Sequence, residues 1–185
     1  MNSNFYDKEN FQNFKEILEK FNRIHSLTTY SGEKIDENIK DSLIGLEFIQ
    51  KYPKTAIDVG SGAGFPAVFL AMALPLCKWH LFEPNPKKSA FLRYVKVSLK
   101  LTNVIIHAEK IENSQKFVAN LITSRALGEL KFIAEICKGF YDEKSEILLY
   151  KGSNVKSEIY DFKEAKILNK DGKNFIYLKG LSWEK

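Results

Sequence analysis

The most informative residues of this 185-residue chain are Ala56-Ile57-Asp58-Val59-Gly60-Ser61-Gly62-Ala63-Gly64-Phe65-Pro66. The apolar residues before Gly60 predict a short strand that is buried on both faces. The three glycines allow a sharp turn and let a ligand come close to main-chain N–H groups. Pro66 and the apolar residues 67–74 predict a helix directly after the turn. A strand, a glycine-rich turn and a helix in this order are typical of a nucleotide-type cofactor site in an open α/β sheet.

The spacing of the glycines indicates which cofactor is bound. Dinucleotide sites use G-x-G-x-x-G, and the position of their last glycine is occupied here by Phe65. The third glycine of this chain comes one residue earlier, at Gly64, and the acidic Asp58 precedes the turn. A carboxylate suits the cationic sulfonium of S-adenosylmethionine, so we expect this cofactor. A tight connection without any ligand is the alternative.

Length and composition predict one domain over residues 1–185, with 1–52 as an N-terminal helical cap and 53–185 as the cofactor-binding core. Apolar residues make up 44% of the chain, but no apolar run approaches the roughly 20 residues that cross a bilayer. The N-terminal Met1–Asp7 lacks the basic and apolar regions of a signal peptide. We therefore expect a cytoplasmic protein with no membrane partner.

The cysteines and histidines do not indicate a metal site. Cys77 and Cys137 lack metal-ligand spacing and lie in apolar surroundings, which predicts two reduced core thiols. The three histidines, His25, His80 and His107, are scattered along the chain. The net charge of +5 permits a polyanionic partner without requiring one.

Hydrophobic periodicity predicts two N-terminal helices. The apolar stripe of the first contains Phe11, Phe14, Leu18 and Phe21, and that of the second contains Ile35, Ile39, Leu43 and Leu46. Strands and helices then alternate, as in a series of βαβ units. The strands are expected at Thr55–Val59, Trp79–Glu83, Val104–His107, Leu121–Thr123 and Ile147–Tyr150, and the helices at Pro66–Leu74, Pro86–Lys100 and from Glu129 to about Phe140.

The C-terminal region has a different pattern. Residues 165–169 and 174–178 read as strands joined by a turn that contains Asp171-Gly172, which predicts a hairpin. The expected fold is α/β, with a mostly parallel, Rossmann-like sheet, a C-terminal antiparallel hairpin and an N-terminal helical cap. This is the arrangement of class I methyltransferases.

Three further positions fall at the ends of predicted strands, where cofactor and substrate bind in such a sheet. Glu83 ends the second strand, where a carboxylate can accept hydrogen bonds from both ribose hydroxyls of an adenosine cofactor. Residues around Glu109 follow the third strand, where the adenine ring is expected. Arg125 follows the fourth and faces the methyl group, either binding a carboxylate, phosphate or base edge or forming a surface ion pair with Glu129.

The helix after the second strand carries Arg93, Lys96 and Lys100 on one stripe, which suits a solvated face and an RNA surface equally well. The chain has neither the Asn/Asp-Pro-Pro-aromatic turn of amino-N methyltransferases nor a cysteine placed for attack on a pyrimidine.

Taken together, the sequence resembles the RsmG (GidB) family of guanine-N7 methyltransferases of bacterial 16S ribosomal RNA from about Phe14 onward. The residues that carry the resemblance are Phe21-Asn22-Arg23, Leu27-Thr28, Asp41-Ser42-Leu43, Asp58–Pro66, Glu83, Lys87-Lys88, Phe91-Leu92, Ala108-Glu109, Ser124-Arg125-Ala126 and Lys151-Gly152. The departures from the family pattern are Phe21 for Trp, Ser26 for Asn, Glu37-Asn38 for Arg-His and Ala67 for Gly.

The resemblance implies S-adenosylmethionine as cofactor and 16S rRNA or a small-subunit precursor as partner, with a monomeric enzyme expected. The cofactor contacts that we expect are Gly60, Gly62, Phe65, Ala108, Glu109 and Arg125, with Glu83 on the ribose. The expected RNA-facing residues are Lys87, Lys88, Arg93 and Lys151. Other interpretations are a small-molecule methyltransferase, a non-catalytic adenosine-binding module and, disfavoured by Phe65, an NAD-dependent oxidoreductase.

Overall fold

A computed structural model describes residues 8–152 and 155–180 of the chain, so Met1–Asp7 lies outside the described residues. The helices are α1 (Lys8–His25), α2 (Glu33–Ile44), α3 (Ala67–Ala73), α4 (Pro86–Ser98) and α5 (Leu130–Ile136). The strands are β1 (Thr55–Val59), β2 (Lys78–Phe82), β3 (Val104–His107), β4 (Leu121–Arg125), β5 (Glu146–Lys151), β6 (Lys166–Lys170) and β7 (Lys173–Lys179). Short 3-10 helices occupy Gly45–Phe48, Ile111–Asn113 and Ser157–Ile159.

The strands form one seven-stranded sheet in the order β3-β2-β1-β4-β5-β7-β6. Strands β1 to β5 are parallel, and β7 pairs antiparallel with both β5 and β6. The predicted mostly parallel sheet with a C-terminal hairpin is confirmed. The strand order changes direction between β1 and β4, and in such sheets a ligand-binding crevice opens at this point.

The hairpin turn has the backbone that its sequence predicts. Asp171 and Gly172 have φ values of 50° and 73°. Two positive φ angles are what a two-residue type I′ turn requires. The C-terminal strand therefore folds back at the predicted residues and pairs with β5.

The sheet separates two hydrophobic cores. Alternate residues of β1 enter different cores, with Ala56 among the side chains packed under α1 to α4 and Ile57 among those packed under α5. Such a central strand is buried on both faces, as predicted for a doubly covered parallel sheet. Cys77 lies in the first core and Cys137 in the second, and burial raises the pKa of each thiol to about 12.

Helix α1 is attached to the sheet layer by an aromatic cluster. The fully buried ring of Phe14 contacts Phe65, Phe69 and Phe91 edge-on, at centroid distances of 5.4, 4.8 and 6.0 Å. Edge-on aromatic pairs add roughly 0.5–1.5 kcal/mol beyond their area burial. The predicted stripe of the first helix is thus confirmed, and it joins α1 to the loop after β1, to α3 and to α4.

Two helices end at least two residues earlier than the sequence predicts. Helix α4 stops at Ser98 because Lys100 takes a left-handed conformation (φ 53°), with the Leu101 amide bonded to Lys96 O and the Lys100 amide to Val97 O. These two bonds are a Schellman cap. Lys100 therefore does not continue the predicted basic stripe. Helix α5 stops at Ile136, one turn before the predicted end, because the chain turns through Gly139 at a φ of 88°.

Helix α2 approaches β5 closely enough to exclude a side chain. The Tyr150 hydroxyl donates to Ser42 O at 2.6 Å. A Cβ on Gly45 would lie 1.9 Å from the Tyr150 hydroxyl oxygen. Gly45 begins the 3-10 turn that follows α2, so this glycine sets the distance between α2 and the sheet.

Replacing Gly45 by Ala tests this contact. Helix propensity alone would make the Gly45→Ala variant more stable than the wild type. The clash with the buried Tyr150 ring is instead expected to lower the free energy of unfolding of the variant by about 1–3 kcal/mol. Urea denaturation measures the difference. Gly152→Ala is the matched control, because no heavy atom lies within 4 Å of a Cβ built there. Equal stability of the two variants would contradict the close approach.

Candidate active site

The loop after β1 is held by hydrogen bonds to the end of β2. The amides of Gly60 and Ser61 both donate to Phe82 O, at 2.9 and 3.1 Å. Gly60, Gly62 and Gly64 all have positive φ angles, and the Gly64 amide closes the turn on Ser61 O at 2.7 Å. The amides of Gly60, Ser61 and Gly64 are therefore already bonded to main-chain carbonyls, so they shape the loop and are not free to donate to a ligand.

The loop amide of Gly62 donates to a side chain instead, to Glu83 Oε2 at 2.7 Å. The other carboxylate oxygen, Oε1, accepts from the Asn85 amide at 2.8 Å. The Asn85 side chain in turn accepts from the amides of Lys87 and Lys88 and caps α4. Glu83 is 6% exposed, so a buried carboxylate joins the glycine loop to the start of the next helix.

Asp58 lies beneath the loop and is buried, with 1% of its surface exposed. Its Oδ1 accepts from the Thr123 hydroxyl at 2.6 Å, and its Oδ2 has no partner among residues 8–152 and 155–180. Desolvation raises the pKa of Asp58 to about 7, and the nearby Glu83 carboxylate contributes to the same upward shift.

An open cleft of about 350 Å³ runs between the glycine loop and the end of β4. Its lining includes Gly60, Gly62, Phe65, Glu83 and Arg125. A smaller cavity of about 140 Å³, between Glu109 and Phe82, shares Gly60, Pro84 and Leu127 with the cleft. We call the two together the cofactor cleft. Of the predicted cofactor contacts, Ala108 alone lines neither part.

Arg125 separates this cleft from a third cavity. That cavity, of about 460 Å³, is here called the acceptor cavity, and it shares Tyr30, Arg125 and Ala126 with the cofactor cleft. The Arg125 guanidinium bonds through Nη2 to the Asn38 side chain and lies 5.8 Å from the centre of the Tyr30 ring. Its buried Nη1 has no partner within the described part of the chain. The alternative of an ion pair with Glu129 is therefore wrong.

The predicted RNA-facing residues do not share one environment. Lys87 and Arg93 are exposed, and Lys88 lines the cofactor cleft. The Lys151 side chain is only 9% exposed, and its ammonium bonds to the Glu158 carboxylate and to Gly128 O. A buried, paired ammonium is poorly placed to meet a phosphate.

Two of the histidines, distant along the chain, meet on neighbouring strands. His80 on β2 and His107 on β3 place Nδ1 and Nε2 2.9 Å apart, with their rings stacked. Burial lowers the pKa of both, that of His80 to about 4, which disfavours the charged form of either ring. Within the described ranges, no group of three or more His, Cys, Asp or Glu side chains is placed to hold a metal ion.

Tyr30, Asn38 and Thr123 belong to the site but are absent from the sequence-based prediction. Asn38 had a detectable signal, since it interrupts the apolar face of α2 and is 2% exposed. Tyr30 lies in the connection between α1 and α2, and Thr123 is one more residue of a buried strand. Nothing in their sequence context distinguishes them.

Solved structures with a similar fold include methyltransferases. A methyltransferase from Geobacter sulfurreducens superposes with a TM-score of 0.67 at 9% identity, covering 91% of this chain and 89% of that one. A variant of MtNAS in complex with S-adenosylmethionine superposes with a TM-score of 0.62 at 12% identity, covering 94% and 76%. At these identities the likeness establishes the fold.

No helix within 8–152 or 155–180 has the length and apolar character to span a membrane.

Sequence comparison establishes the family. The family model described as GidB, rRNA small subunit methyltransferase G, matches residues 7–181. The protein named ribosomal RNA small subunit methyltransferase G from Campylobacter hominis is 54% identical over 172 residues, covering 93% of this chain and 92% of that protein. The protein of the same name from Campylobacter fetus is 49% identical over 179 residues, covering 96% of each. The chain therefore belongs to the rRNA small subunit methyltransferase G (GidB) family.

Proposed function

We propose that this protein transfers a methyl group from S-adenosylmethionine to N7 of a guanine in 16S rRNA. One observation carries the proposal: the cofactor cleft, at the carboxyl ends of β1, β2 and β4, meets the acceptor cavity, at the carboxyl ends of β4 and β5, at Arg125. One cavity suits the methyl donor and the other the acceptor. The family of the chain and the similar fold of an S-adenosylmethionine complex support the assignment.

The cofactor would lie along the cofactor cleft. Glu83 is suited to accept from the ribose hydroxyls. Two N–H bonds hold its carboxylate in place, and each oxygen keeps a second lone pair for a hydroxyl. The smaller cavity beside Glu109 would hold the adenine, with Ala108 contributing from the backbone. Gly60, Gly62 and Phe65 line the space for the remainder of the cofactor, with Arg125 at its far end. The sulfonium would favour the ionised form of Asp58 beneath the loop.

The chemistry requires alignment more than acid–base catalysis. Guanine N7 carries a free lone pair and needs no deprotonation before it attacks the methyl carbon. As the N7–C bond forms, the C–S bond breaks, leaving S-adenosylhomocysteine and a cationic purine. Alignment of donor and acceptor is worth up to roughly 7–11 kcal/mol in well-oriented systems. Arg125 would position the cofactor or the base and would exchange no proton.

We propose that rRNA phosphates bind Lys87, Lys88 and Arg93 on α4, next to the cofactor cleft. Lys151 would instead hold the rim of the acceptor cavity through its bonds with Glu158 and Gly128. We further propose that the chain acts as a monomeric, single-domain cytoplasmic enzyme on 16S rRNA or a small-subunit precursor, with residues 1–52 capping the core.

Incubation with labelled S-adenosylmethionine tests the reaction itself. With small ribosomal subunits from cells that lack the protein, we expect the label in one 7-methylguanosine, located by mass mapping of the rRNA. A metabolite mixture without RNA should remain unlabelled. Label in a metabolite would favour the small-molecule interpretation, and cofactor binding without any transfer would favour a binding module.

Glu83→Gln tests the ribose contact. Removing a charged acceptor should weaken S-adenosylhomocysteine binding by roughly 10- to 100-fold in calorimetry, the usual range for a charge-assisted hydrogen bond. Glu164→Gln, at an exposed position far along the chain, is the control and should bind as the wild type does. Unchanged affinity in the Glu83 variant would place the ribose elsewhere.

Charge reversal tests the RNA surface. The triple variant Lys87→Glu, Lys88→Glu, Arg93→Glu should bind small-subunit rRNA more weakly, with the salt slope flatter by about 0.7–0.9 for each phosphate that the protein no longer neutralises. The control triple variant Lys144→Glu, Lys163→Glu, Lys166→Glu changes the net charge equally at exposed positions. If both variants bind equally weakly, net charge and not this surface drives binding.

A further inference from the structure

We propose that Asp41 and Lys173 read the Watson–Crick edge of the target base and make the acceptor cavity selective for guanine. The inference rests on the proposed function, because it identifies how that same site recognises its substrate. It concerns an ion pair that the transfer chemistry does not otherwise use. The pair lines the acceptor cavity and lies outside the lining of the cofactor cleft.

The pair sits in the wall of the acceptor cavity. Lys173 Nζ lies 2.8 Å from Asp41 Oδ2, with the aspartate side chain 17% exposed and the lysine 44% exposed. Both side chains line the cavity of about 460 Å³ together with Tyr30 and Phe175, which supply aromatic rings. A carboxylate acceptor and an ammonium donor therefore stand side by side at a space that is large enough for a purine.

This pair complements guanine and not adenine. The Watson–Crick edge of guanine presents two donors, N1–H and N2–H, followed by the O6 acceptor. A carboxylate only accepts and an ammonium only donates, so Asp41 matches the two N–H groups and Lys173 matches O6. Adenine presents an unprotonated N1 to the same carboxylate, and two acceptors repel each other. Recognition by this edge with aromatic contacts is the usual way in which enzymes hold a base taken out of its stack.

The same orientation leaves N7 free to react. N7 lies on the five-membered ring of guanine, away from N1 and N2. A base whose Watson–Crick edge meets Asp41 and Lys173 can therefore turn its N7 towards Arg125 and Ala126, where the acceptor cavity meets the cofactor cleft. Recognition and reaction thus use different edges of one base.

The position of Asp41 is fixed by its neighbours on α2. The next residue, Ser42, accepts from the Tyr150 hydroxyl through its carbonyl, and Asn38, one turn earlier, bonds to Arg125. The carboxylate is therefore held relative to both β4 and β5. A fixed acceptor discriminates between bases better than a mobile one, because it cannot move to suit a base with the wrong edge and its carboxylate is then left unpaired.

Asp41→Asn in the full-length protein tests the inference. The substrates are small-subunit rRNAs assembled by ligation with either guanosine or inosine at the mapped target position, since inosine lacks only the N2 amine. We expect the wild type to prefer guanosine in kcat/KM by roughly 10- to 100-fold, the usual range for one hydrogen bond to a charged group. In the variant, activity on guanosine should fall and the preference should shrink to about 1- to 3-fold on the same basis.

Asp36→Asn is the matched control, since it makes the same change on the same helix and breaks the ion pair with Lys15 instead. It should keep the guanosine preference, and both variants should bind S-adenosylhomocysteine as the wild type does. An Asp41 variant that loses activity with its preference intact, or that keeps full activity, would overturn the inference. If the wild type itself forms no 7-methylguanosine, the proposed function fails before Asp41 is tested.

Discussion

The active site depends on one main-chain acceptor, the carbonyl of Phe82. Two successive amides of the loop after β1 donate to it, and this pair of hydrogen bonds to the neighbouring strand forces the chain to turn where it does. The turn requires positive φ at Gly60, and a glycine adopts that conformation at little steric cost. These bonds hold the loop at the end of β2. Glu83, the residue after Phe82, therefore comes within hydrogen-bonding distance of the Gly62 amide. The shape of the cofactor cleft follows from this short chain of hydrogen bonds.

Much of the fold could be predicted because the elements carry strong local signals. Strands β1 and β3 begin and end at the predicted residues, since each is a short apolar run bounded by turn residues. The Asp171-Gly172 turn could be predicted because few residue types accept two positive φ angles. The end of α4 could not, because Lys100 occupies a left-handed position that usually takes glycine. The order of strands in the sheet also depends on packing between distant segments.

The site was predictable where it consists of strand ends and less so where helices contribute. Glu83 and Arg125 lie at the ends of strands, so the topology of the sheet places them at one edge. Asn38 and Asp41 reach the site only because α2 packs against β5 at the distance that Gly45 and Tyr150 allow. Lys151 also lies at the end of a strand, but its environment could not be predicted. Its counter-ion, Glu158, comes from a separate 3-10 helix whose position has no signal in the sequence. Partners distant in sequence determine whether a charged group is available to a ligand.

The burial of Phe14 among three other phenylalanines has a consequence for turnover. Helix α1 is held by this buried aromatic cluster. It cannot move away from the sheet without exposing several rings to water at once, which is unfavourable. Helix α1 is therefore expected to keep its position on the sheet while ligands enter and leave the cofactor cleft.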